Sequence, residues 1–86
     1  MHEASITQAL LDLVLSKARE HHAARVNEVR VTVGGLSTFV DQSIELWWRA
    51  LAAGTIAAES KLVFRQDAGS PDCYLESIDI EQETSE

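Results

Sequence analysis

The chain has 86 residues, 45% of them hydrophobic, and a formal charge of −7 from 14 acidic and 7 basic residues. One small domain fits that length, and a surplus of acids repels phosphate backbones, which argues against nucleic-acid binding. A single cysteine, Cys73, excludes an internal disulfide and a cysteine-based zinc site, and no apolar run approaches the roughly 20 residues of a membrane helix.

Ser5 to about His22 reads as a helix. Ser5 followed by Gln8 has the form of a capping box, and Ile6, Leu10, Leu13, Val14, Ala18 and His21 follow helical spacing. Val26 to Val33 reads as a strand, with Val29, Val31 and Val33 on one face and Glu28, Arg30 and Thr32 on the other; Gly34-Gly35 ends it. A second helix starts near Asp41, with Ile44, Trp47, Trp48 and Leu51 as its apolar stripe and Gly54 as its stop. Adjacent tryptophans cannot both face one core, so one anchors the helix and the other is left for an interface or for partial burial.

Leu62 and Phe64 alternate with Val63 and Arg65 in a second strand, "QDAGSPD" is a turn-rich connector, and Cys73 to Glu81 is a third strand with Tyr74, Ile78 and Ile80 on one side. The expected fold is α+β, in the order α-β-α-β-β, with two helices packed on a three-stranded sheet and Leu10, Leu13, Val14, Val31, Trp48 or Trp47, Leu51 and Phe64 in the core. Residues 1–81 form the domain and 82–86 an acidic, solvated tail. A thin core with no disulfide makes self-association, as a homodimer, a natural supplement. An acid-bearing, amphipathic start is unlike a signal peptide, so the expected compartment is the cytoplasm.

The chemistry lies in Met1-His2-Glu3. The terminal amine of Met1, the backbone nitrogen of His2 and the imidazole Nδ1 of His2 can close a five- and a six-membered chelate ring around one metal, with three nitrogens in a plane. That geometry suits Ni(II) or Cu(II) and not tetrahedral zinc. Glu3 can take the fourth position or accept a hydrogen bond from the imidazole. The plain alternative is that His2 is a solvent-exposed side chain. The pair His21-His22 is read as helix-terminal residues complementing the dipole, because neighbours on a helix point in different directions. Cys73 is read as an inert strand residue, and no nucleophile–base pair or P-loop is visible. An enzyme is not expected.

Met1-His2-Glu3, Ser5-Ile6, Gln8-Ala9-Leu10, "HAARVNEVRVTVGGLSTF" with its Gly34-Gly35-Leu36-Ser37 loop, "LAAGTIAAESKLVF" and "LESIDIE" together resemble the HypA/HybF family of hydrogenase nickel-insertion proteins. The resemblance implies a nickel site at Met1, His2 and Glu3, with His2 the essential ligand and Glu3 supporting it. Some family members add an acid near the start of the second helix; Asp41 falls there, although a helix N-cap or first-turn acid explains it equally well. Implied partners are the large subunit of a nickel enzyme, above all a [NiFe]-hydrogenase, and a HypB-like GTPase. The chain departs from the family in one respect. The zinc lobe, with its two Cys-x-x-Cys pairs between the last two strands, is replaced by "QDAGSPD", so no structural zinc is expected. Two functions follow: a nickel-binding accessory protein with Ni(II) as cargo, or an interaction module that kept the fold and lost metal delivery.

Overall fold

The computed structural model describes residues 2–34, 41–67, 69 and 74–83; the side chains of His2, Glu3, Asp41 and Gln42 lie outside that description. The elements run α1 (His2–Glu20), β1 (Ala23–Gly34), α2 (Asp41–Ala52), β2 (Lys61–Asp67) and β3 (Tyr74–Gln82). The sheet order is β2-β1-β3, with β2 parallel and β3 antiparallel to β1. The α+β class and the α-β-α-β-β order are those expected from the sequence.

β1 is central because it is the most apolar strand. Val29, Val31 and Val33 are all buried, and so is Val26. An odd separation would put Val26 and Val29 on opposite faces. They share one because the register skips Asn27, a bulge that adds one residue to β1 between Val26 and Glu28. A second irregularity corrects the expectation for β3. Arg30 pairs with Ser77 and Val31 with Leu75, so Glu76 is the extra residue. Leu75, Ile78 and Ile80 therefore pack on the core, while Tyr74, expected beside Ile78 and Ile80, is 49% exposed.

α1 begins earlier than its pattern suggests. The helix starts at His2, so Ser5 lies inside it and cannot adopt the non-helical backbone of a cap. Gln8 makes no capping box; its Nε2 donates to Asp12 Oδ1 at 2.9 Å, one turn onward. The buried face is also rotated. Thr7, Leu11, Val14 and Ala18 are buried, whereas Ile6 is 39% and Leu13 43% exposed. α1 is apolar over a wide arc, Ile6, Ala9, Leu10, Leu11, Leu13, Val14 and Leu15, and spacing alone does not say which flank of that arc lies innermost. Beyond α1 the chain turns at His22, whose φ of 56° is the left-handed cap conformation.

α2 runs from Asp41 to Ala52. Ile44, Trp48 and Ala52 are buried and Leu51 packs against them. Of the two tryptophans Trp48 is the anchor. Its Nε1 donates to Ser60 Oγ at 2.9 Å, and Ser60 Oγ donates to the Ala57 carbonyl at 2.6 Å, so the buried indole N–H has its partner. Trp47 is 42% exposed. Gly54 takes φ +85°, as a helix stop requires, and Thr55 Oγ1 donates to the Ala52 carbonyl.

Candidate functional site

The site read from the sequence is the start of α1. Met1 and the side chains of His2, Glu3 and Asp41 lie outside the described residues, but the backbone fixes where the two helices begin. α1 opens at His2 and α2 at Asp41. Ile6 and Ile44, each within a turn of those starts, line one groove. The starts of both helices therefore share one end of the molecule. The pairings Gly34 with Asp67 and Thr32 with Tyr74 put the end of β1, the end of β2 and the beginning of β3 there as well.

What holds α1 in place is the buried row Thr7, Leu11, Val14 and Ala18, packed against Trp48, Val29 and their neighbours. Thr7 is fully buried only five residues after His2, so the ordered core reaches to within about 8 Å of the helix start along its axis. The first four N–H groups of an α-helix have no intrahelical acceptor. A metal that recruits the backbone nitrogen of His2 thus breaks no helical hydrogen bond.

The other histidines serve the backbone. His21 and His22 are both exposed. The His21 N–H donates to the Lys17 and Ala18 carbonyls and the His22 N–H to the Arg19 carbonyl. Gln82 Nε2 donates to the His21 carbonyl and the Glu83 N–H to the His22 carbonyl, which ties the α1–β1 turn to the end of β3. Among the described residues no three His, Cys, Asp or Glu side chains are grouped to hold a metal. Cys73 and the Leu36-Ser37 loop lie outside the described residues, and Gly34 is the last residue of β1.

The far face of the sheet carries a polar network that sequence spacing did not reveal. Arg30 Nε lies 2.8 Å from Glu28 Oε2, and Arg30 donates to Ser77 Oγ. Thr32, nearly fully buried, donates to Glu76 Oε1 at 2.7 Å, and Arg65 reaches the same carboxylate at 3.4 Å. The bulge turns Glu76 to this face, and the bulge is invisible in a strict two-residue period.

Comparison with known proteins decides the family. The family model described as "Hydrogenase/urease nickel incorporation, metallochaperone, hypA" matches residues 1–84. The chain belongs to the HypA family. The hydrogenase maturation factor HypA of Deinococcus radiodurans is 38% identical over 73 residues, covering 85% of this chain and 61% of that protein. HypA of Caldanaerobacter subterraneus subsp. tengcongensis is 32% identical over 65 residues, covering 76% of this chain and 57% of its own length. HypA 2 of Bradyrhizobium diazoefficiens is 31% identical over 84 residues, covering 95% and 74%. The chain thus spans about three-fifths of the length of the first two. The solution structure of the Ni metallochaperone HypA from Helicobacter pylori superposes with a TM-score of 0.79 at 12% identity, over 94% of this chain and 98% of that one, which establishes the shared HypA fold.

Proposed function

We propose that this HypA-family chain is a carrier of Ni(II), not an enzyme, and that it loads the ion at its N-terminus for a nickel enzyme under maturation. The Met1 amine, the His2 backbone nitrogen and His2 Nδ1 supply three planar donors. Glu3 fills the fourth position or steadies the imidazole, and Asp41 is a further acid at the same end. The observation that carries this reading is that α1 begins at His2 and is pinned by buried Thr7 and Leu11. An anchored helix start limits the conformational entropy lost when the chelate closes. Membership of a nickel-incorporation family supports nickel as the cargo, and Cu(II) competes on intrinsic affinity, so cellular supply decides between them. The client is a nickel-enzyme large subunit, a [NiFe]-hydrogenase first, with a HypB-like GTPase as a further partner and a homodimer as an assembly to look for. Cytoplasmic work fits a chain in which, among the described residues, no helix is long and apolar enough to cross a membrane. No structural zinc is needed, since residues 68–73 are all that join β2 to β3.

The test is a nickel titration of untagged protein by calorimetry. His2→Ala abolishes tight binding and leaves the fold intact. An extension before Met1 also weakens binding, because the amine becomes an amide. Affinity rises with pH as protons are displaced from the three nitrogens. Tight binding that survives both changes rules out the terminal chelate. The second reading, an interaction module without cargo, is favoured by Leu46, 74% exposed beside the half-exposed Trp47; it prevails if no tight nickel site exists in the unmodified protein.

A further inference from the structure

An apolar groove of about 240 Å³ opens between α1 and the sheet at the end where both helices begin. Ile6, Leu10 and Leu13 of α1, Ile44 of α2, Phe64 of β2 and Leu75 of β3 line it. A dry cavity of about 150 Å³ already accepts a benzene ring, so this groove has room for a large apolar side chain. From Ile6 to Leu13 it runs about 10 Å along α1, the length over which a helix presents two or three anchors at i, i+3 or i+4 and i+7.

Charge identifies the occupant. No Lys or Arg occurs in residues 1–16, 31–48 or 66–86, and the topology gathers much of those stretches at this end. Glu45 is exposed near the start of α2 and Asp67 closes β2 at this end; Asp12 is exposed on α1, and Glu76 lies near the start of β3 on the far face of the sheet. The one cation among these neighbours, Arg65, is engaged by Glu76. Of the other basic residues, Arg30 lies mid-β1 on the far face of the sheet, held by Glu28, and Lys17, Arg19, Arg25, Arg49 and Lys61 lie in the last turns of the helices or near the openings of the strands. An apolar slot at an end of the molecule poor in Lys and Arg complements leucine-like anchors flanked by Lys or Arg.

We propose that this groove docks an amphipathic helical segment of a partner protein, apolar on one face and basic at its flanks. None of the proposed nickel donors is among the described lining residues, so the groove is tested without metal and again in His2→Ala protein. Three short peptides serve as probes: one with leucines at i, i+3, i+4 and i+7 flanked by lysines, the same pattern flanked by glutamates, and the lysine peptide with serines in place of leucines. Binding is followed by backbone amide shifts in labelled protein. The Leu/Lys peptide is expected to shift Leu10, Leu13 and Leu75, with affinity that falls as salt rises, equally in both proteins. Leu13→Ser, at a half-exposed position, weakens it about tenfold, as loss of a packed anchor contact does. The two control peptides are expected not to bind.

Four results overturn the proposal: no shifts with any peptide, as when the chain's own residues cover the slot; binding of the Leu/Glu peptide as tightly as Leu/Lys, which is unselective stickiness; equal binding of the Ser/Lys peptide, which is charge alone; or groove shifts that grow with protein concentration in the absence of peptide, which make a second copy the occupant.

Discussion

Ser60→Ala tests how α2 is held. Trp48 is fully buried and its indole N–H donates to Ser60 Oγ at 2.9 Å. Alanine leaves that donor unsatisfied in the core, which costs about 1–3 kcal/mol, and the lost Ser60–Ala57 hydrogen bond adds roughly 0.5–1.5 kcal/mol. The Ala57 carbonyl itself is not orphaned, because the Ser60 N–H still donates to it. The expected loss is therefore about 2–4 kcal/mol, against about 4–13 kcal/mol for a domain of 86 residues. For a domain this size the melting temperature falls by roughly 10–25 °C. Urea unfolding followed by far-UV circular dichroism measures it, a signal that every member of the cycle retains. Trp48→Phe and the double variant complete the cycle. If the hydrogen bond carries the effect, Ser60→Ala costs at least about 1 kcal/mol less when the indole is already gone. A loss below about 0.5 kcal/mol, or additive single effects, refutes this account of the anchor.

Leu11→Ala, at a buried position of α1, is expected to cost about 2–5 kcal/mol, whereas Leu13→Ala, half-exposed, costs roughly 1 kcal/mol; chemical denaturation of both separates the observed helix face from the one spacing suggests. Gly54→Ala is expected to lose roughly 1–2 kcal/mol purely through its positive φ, since nothing lies within 4 Å of the added Cβ. Gly54→Asn recovers part of that loss by the same measurement. If, as proposed, the chain holds no structural zinc, a strong chelator leaves the circular dichroism spectrum and urea midpoint of untagged protein unchanged; unfolding on chelation reveals a structural metal.

The elements were legible because each carries a local signal. The valines of β1, the stripe of α2 and Gly54 state period and boundary directly. What the sequence hid depends on contacts between elements. Bulges at Asn27 and Glu76 appear only once β3 pairs with β1, and each exchanges the faces of the residues that follow. The inner face of α1 is chosen by α2 and β1. Thr7 is polar and yet fully buried, so a hydrophobic count passes over it and favours Ile6. The expectation for Met1-His2-Glu3 is local in sequence and needs no contact between elements; Met1 and the side chains of His2 and Glu3 lie outside the described residues, so it stands as the proposal made above.

The rotation of α1 has a functional consequence. Had Ile6, Leu10 and Leu13 formed the inner face, the helix would have spent its apolar arc on the core and offered solvent its polar side. Instead Thr7, Leu11, Val14 and Ala18 are enough to pin it, and Ile6 and Leu13 remain half-exposed over the sheet edge. One helix thus presents three things in register: an anchoring face, an apolar flank and a terminus that begins at His2. Ile6 lies four residues, about 6 Å of helical rise, beyond His2. A partner seated against that flank is within about a turn of helix of the proposed cargo nitrogens, and it approaches them along a rigid element instead of a frayed tail. Loosening the anchor therefore disturbs both surfaces together, whereas trimming the flank at Leu13 disturbs only docking. Comparing Leu11→Ala with Leu13→Ser for nickel and for peptide binding distinguishes a shared scaffold from two unrelated patches: the first variant weakens both, and the second spares nickel.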